Sequence, residues 1–236
     1  MIHRRRHQSG NMLIYILGAI VLMGVLVVLV KGSMQPGTGI DAENVELQVS
    51  RVQTYASALE RAVNYILMSG NSEADIRFAY TGAAAAYGTV GDTPKRQVFE
   101  QAGGGLVYTA PPTGANDGTA WQFYGTTHIT DMGTDTAGTR KAELIAVLPH
   151  VTLAFCNTVN QSVKQNIDLG TTAAPVVSDP GACVNAGAGS EFAGTFLSGA
   201  AANTLDDTKL SYKPAKEACV RCADNTLNYY RVLMGR

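Results

Sequence analysis

The chain has 236 residues, 46% of them apolar and 16% charged, with 18 basic against 19 acidic side chains and a net charge of −1. The apolar fraction is too high for a disordered chain. The near-neutral balance gives no general hold on nucleic acid, whose binding rests on phosphate neutralisation. Scarce charge with abundant Gly, Ala and Thr suits an exported β-rich domain with long small-residue loops rather than a charged cytosolic enzyme surface.

Arg4, Arg5 and Arg6 precede Gly10, and an uncharged run of nineteen residues follows from Met12 to Val30, closed by Lys31. As a helix this run measures about 28 Å, close to the roughly 30 Å hydrocarbon core of a bilayer. A transmembrane helix is therefore expected over residues 11–31. Basic residues before such a span stay cytoplasmic, which sends the rest of the chain to the other side. Beyond Lys31 that rest carries fourteen basic against nineteen acidic residues. The run is longer than the roughly 7–15 residues of a cleaved secretory core, and Lys31-Gly32-Ser33-Met34 offers no small-x-small site. An uncleaved signal anchor matches the hydrophobicity but leaves Gly10 without a role.

MIHRRRHQSG followed by NMLIYILGAIVLMG resembles the class III signal of type IV pilins and pseudopilins. The resemblance covers about the first 70 residues. It implies a basic leader over residues 1–10, cut by a prepilin peptidase between Gly10 and Asn11, and methylation of the new N-terminus. It further implies that residues 11–31 lie in the inner membrane before assembly and in a filament core after it. The partners implied are other pilin-like subunits and the pilus assembly platform; that no nucleic acid is expected rests on the charge balance instead. Major pilins carry Glu five residues after the cut, where this chain has Tyr15, and many carry a helix-bending Pro that this run lacks. The departure points to a minor or tip subunit. Arg5-Arg6 and Ser9-Gly10-Asn11 also resemble the anchors of accessory proteins of tight-adherence pili.

Residues 32–40 carry Gly32, Pro36, Gly37 and Gly39 and read as a hinge before an exported head over 41–236. From Val45, apolar residues recur at Val49, Val52, Ala56, Leu59, Val63 and Ile66, a helical stripe over about 41–69. Asp41, Glu43 and Glu46 favour its start and Ser69-Gly70-Asn71 its stop. Residues 76–80, 105–108 and 121–124 are strand candidates, separated by turn-forming segments. Glu143 to Leu148 is an apolar run ended by Pro149, which suits the first turn of a helix carrying Val151, Leu153, Phe155, Cys156, Val159 and Val163. Residues 210–212 and 227–234 read as two antiparallel strands joined by a cysteine-bearing turn. The expected fold is α+β: an N-terminal transmembrane helix, then a pilin-like head with a helix on an antiparallel sheet and long Gly/Thr-rich loops.

Cys156, Cys183, Cys219 and Cys222 are an even set in an exported chain, which reads as two disulfides. Three pairings are open. Local loop closure favours Cys156–Cys183 with Cys219–Cys222, while either crossed pairing would tie the C-terminal strands to the central helix. Cys219-Val220-Arg221-Cys222 has the spacing of a thiol oxidoreductase site, but no βα unit precedes it. Zinc would need a second close pair, or histidines at ligand spacing, and His128 and His150 stand alone. His128 near Asp131 reads as a solvated loop rather than half of an acid–base pair. Trp121, Phe123 and Tyr124 read as core aromatics rather than a carbohydrate platform, and Gly103-Gly104-Gly105 as a turn. Hydrolase, zinc-peptidase, phosphate-loop and calcium-loop motifs are absent. The expectation is a structural subunit of a pilus or secretion filament, with no enzymatic activity, cofactor or metal. The alternative is a signal-anchored periplasmic binding or adhesion domain that does not polymerise.

Overall fold

A computed structural model describes residues 15–23, 38–133, 139–167, 183–184, 191–199, 202–205 and 210–236. The chain divides into two units, Met1–Asn44 and Val45–Arg236. Residues 15–23 are helical (α1) and their side chains are exposed. The transmembrane helix expected over 11–31 is overturned: among the described residues no helix is long and apolar enough to cross a membrane. α1 is described over nine residues, roughly 13 Å of helix against a core of roughly 30 Å. The next helix, α2 (Thr38–Met68), has 31 residues but carries Asp41, Glu43, Glu46, Arg51, Glu60 and Arg61. The remaining positions of that expectation, 11–14 and 24–31, lie outside the described residues, as do residues 32–37 of the expected hinge.

The stripe Val49, Val52, Ala56, Leu59, Val63 and Ile66 is at most 3% exposed, so the four–three spacing packs one face of α2 into the core. Burying each large aliphatic of that stripe is worth about 1.5–3 kcal/mol. The helix ends where Gly70 takes φ +88°, a conformation that suits a residue without Cβ. Asn71 then donates its side-chain amide to the Ile66 carbonyl at 3.1 Å, covering one of the unpaired carbonyls of the last turn.

Five strands follow: β1 (Gln122–His128), β2 (Glu143–Leu148), β3 (Asn203–Thr204), β4 (Glu217–Arg221) and β5 (Leu227–Met234). Their order across the sheet is β3-β1-β2-β5-β4. β1–β2, β2–β5 and β5–β4 are antiparallel, but β3 runs parallel to β1, with Asn203 opposite Thr127 and Thr204 opposite His128. The sheet is therefore mixed, which corrects the antiparallel expectation. Its parallel strand is reached by a long connection rather than a hairpin, as parallel pairing requires.

β2 is buried on both faces, which is why it reads as a continuous apolar run. Leu144, Ala146 and Leu148 join Phe123, Tyr229, Leu233 and the stripe of α2. Ile145 and Val147 join Tyr124, Tyr230, Val232 and Val220 on the other side, under Val184, Leu205 and Leu210. A third helix, α3 (Leu153–Ser162), follows β2; Thr152 caps it, its hydroxyl oxygen accepting from the Phe155 N–H at 3.2 Å. Pro149 thus ends β2 but stands outside the first turn of α3.

Two strand candidates are not strands. Residues 76–80 pair only through the bridge Arg77–Gln97. Gln97, 1% exposed, replaces the missing ladder: its Oε1 accepts from the Ala79 N–H, and its Nε2 donates to the Thr89 and Asp92 carbonyls. Residues 105–108 are irregular. Gly104 sits where a Cβ would come within 2.8 Å of Ala62 on α2, so this glycine serves a close approach. The partner of β5 is β4 at 217–221, not residues 210–212.

Candidate functional site

The cysteines are brought together in two pairs on opposite faces of the edge strand β4. Cys156 on α3 pairs with Cys219 on β4, Cα atoms 5.2 Å apart, and Cys183 pairs with Cys222, Cα atoms 4.8 Å apart. The pairing is crossed, which corrects the local closure that spacing favoured. The physical reason lies in β4. Residues three apart on a strand point to opposite faces. Cys219 therefore enters the α2-side core and Cys222 the other. The spacing that resembles a redox pair places each sulfur with a different partner, and both cysteines are buried. Asn228 lies beneath the second bridge, its Nδ2 at 2.8 Å from Cys222 Sγ and 3.3 Å from Cys183 Sγ.

A charge network joins α2 to the outer strands beside these bridges. Arg231 on β5 contacts Glu60 of α2 and Glu217 of β4, and Lys216 donates to Glu60 at 2.6 Å. Burial pushes the Glu60 carboxyl up, but hydrogen bonds from Lys216 and Arg231 outweigh it and hold it below the usual range. Gln53 adds a hydrogen bond to Glu217 at 2.6 Å. None of these charges was singled out from sequence, because each becomes a partner only once α2 lies on the sheet.

His128 is buried, not solvated. Its Nδ1 lies 3.1 Å from the Lys141 carbonyl and 3.5 Å from Oε1 of the wholly buried Glu143. The other Glu143 oxygen accepts from the Ile129 N–H at 2.6 Å. Glu143 escaped notice because it opens an apolar run. Burial raises its carboxyl above the ordinary 4.5, against the lowering effect of His128 and the Ile129 N–H. A folded pKa above the unfolded one means that its stabilising contribution is full below about pH 4.5 and is lost as pH rises through the folded value. Glu143→Gln should therefore compare more favourably with wild type at pH 8 than at pH 5 in urea unfolding. The reverse ordering would mean that His128 holds the carboxylate ionised.

His150 pairs at 2.8 Å with Asp117 on the surface, whose carboxyl is lowered to about 2 by hydrogen bonds from Thr119 ahead of the contribution from His150. Exposed pairs of this kind add little to stability. Trp121, Phe123 and Tyr124 are at most 3% exposed and belong to the core, so they form no platform. Trp121 does floor a groove of about 260 Å³ together with Tyr55, Arg51 and Pro112. Among the described residues, no cluster of three His, Cys, Asp or Glu side chains is placed to hold a metal ion. Gly10 and Asn11 lie outside the described residues. The chain matches no protein-family model, no curated protein and no solved structure.

Proposed function

We propose that the chain is a pilin-like structural subunit, minor or tip-located, of a type IV pilus or related secretion filament. The observation that carries this reading is the leader MIHRRRHQSG set directly before Asn11 and a nineteen-residue apolar run. Cleavage after Gly10 by a prepilin peptidase frees an apolar segment to pack against the same segment of neighbouring subunits on the assembly platform. Such packing keeps the segment away from water throughout assembly. The head supplies supporting evidence of a coarser kind: two buried disulfides suit a chain that folds in an oxidising compartment outside the cytoplasm. Tyr15 in place of the usual Glu removes the carboxylate that would meet a neighbour's amine, which favours a subunit used in few copies.

Intact mass and N-terminal sequencing of the protein from its native membrane test the reading. The expected result is a start at Asn11 with about 14 Da added for one methyl group. Gly10→Val is expected to leave the chain starting at Met1, and unchanged cleavage in that variant would overturn the assignment. Pro36, with Gly32 and Gly37, between the apolar run and α2 favours a second reading, an exported binding domain that stays solitary. A start at Met1 in the wild type, with single copies in mild detergent, would establish that reading instead.

A further inference from the structure

The end of α3 borders a cleft of about 450 Å³, within the roughly 300–1,000 Å³ of small-molecule sites. Among the described residues its walls are mostly side-chain amides, and Lys164 is the one charged residue of that described lining. Two of these amides are buried and build the walls. Asn160 donates to the Cys219 carbonyl at 2.9 Å and accepts from the Cys219 N–H at 2.8 Å. Gln165 donates to the Tyr212 carbonyl at 2.7 Å and accepts from the Ser211 N–H at 2.9 Å. Together with the Cys156–Cys219 bridge, they fasten α3 to the C-terminal chain, so the cleft is held in shape before any ligand arrives. The remaining amides, Asn157, Gln161 and Asn166, line the same cleft with their side chains exposed. Lys164 joins them at φ +58°, a left-handed conformation that side chains other than glycine seldom take. Tyr212, whose backbone Gln165 holds beside the cleft, is 59% exposed.

This lining excludes several ligand classes. Among the described residues Ile167 is the one apolar side chain in the wall, which gives an apolar ligand no floor there. Among the described residues of the wall there is no carboxylate to take a cation, and one ammonium is too little for a polyphosphate. An amide side chain offers a donor and an acceptor side by side, which matches neighbouring hydroxyls on a sugar ring. One ammonium among such amides matches one carboxylate.

We propose that this cleft binds an acidic saccharide, with Asn157, Gln161 and Asn166 holding ring hydroxyls and Lys164 pairing with the sugar carboxylate. The inference is independent of polymerisation and applies to a filament subunit and to a solitary exported domain alike. The test is calorimetric titration of the full chain in mild detergent with α-1,4-digalacturonate and with its neutral counterpart, α-1,4-digalactose. Digalacturonate is expected to bind with a Kd on the order of 1 mM, at least about fivefold tighter than digalactose. Lys164→Met should abolish that preference while leaving digalactose affinity within about twofold, and Asn157→Ala with Gln161→Ala should weaken both sugars by about fivefold or more. Unchanged thermal midpoints in both variants would show that the losses arise at the cleft, since the altered side chains are exposed. Failure of either sugar to bind at about 20 mM overturns the proposal, as does binding that these substitutions leave unaltered.

Discussion

Replacing Cys156 and Cys219 together by alanine should lower the unfolding free energy by about 4 kcal/mol, on the loop-entropy estimate for a sequence separation of 63. The bridge joins α3 to β4 and both of its cysteines are wholly buried, so packing loss adds to the entropic term. What then remains to hold α3 on β4 is led by Asn160 and its pair of hydrogen bonds to Cys219. Removing Cys183 and Cys222, separated by 39, should cost a similar amount alone. The two losses will not add, because the closed loops overlap and the second acts on a chain already freed by the first. Urea unfolding of wild type and the two double variants, each with intact remaining thiol pairing, checks this. A change under about 1 kcal/mol would mean that the unfolded chain is already held compact near these positions.

Phe123→Ala should cost about 3–5 kcal/mol and lower the thermal midpoint by roughly 10 °C. Phe123 is wholly buried on β1 and stacks on Phe78 with centroids 3.9 Å apart and planes 7° from parallel. Tyr87 meets it edge-on at 5.5 Å and accepts a hydrogen bond from its backbone N–H at 2.9 Å. The side chain thus joins β1 to two segments, 76–80 and 85–87, that have almost no ladder of their own. Truncation leaves a cavity that these irregular segments border on several sides. Phe123→Leu should recover most of the loss, because it restores much of the volume. Differential scanning calorimetry of both variants measures it; equal midpoints for the alanine variant and wild type would place Phe123 outside the stabilising core.

These two sites also show what sequence could and could not reveal. The stripe on α2 was legible because a helix with one buried face imposes a period, and Val49 through Ile66 keep it. β2 and β5 were legible as apolar runs with clear stops. β4 was not, because Ala218, Cys219, Val220 and Cys222 are buried on alternate faces and leave no polar–apolar alternation to read. Strand-like composition at 76–80 reflected the burial of Ile76 and Phe78, while hydrogen bonding there falls to the Gln97 side chain. β3, two residues in a Gly- and Ala-rich stretch, had no local signal at all. Cysteine pairing is decided by which segments pack against the two faces of β4, α3 on one and residues 183–184 on the other, so spacing pointed to the wrong partners. Likewise, Glu143 and His128 become a pair only through the β1–β2 register, in which Thr127 lies opposite Glu143. The wall of the saccharide cleft has the same character, since Tyr212 lies 47 residues from Gln165.

The crossed bridges also determine how the unit Val45–Arg236 responds to a pull along its chain. Tension entering from α2 and leaving through Arg236 would run along covalent bonds from Cys156 to Cys219, on through Cys222 and into β5. Residues 157–218 are bypassed and carry no load while the bridges last. At roughly 3.5 Å per residue, this withholds about 200 Å of contour that an unbridged chain would pay out. While the bridges last, the chain that can extend lies on either side of them, in residues 45–155 and 223–236.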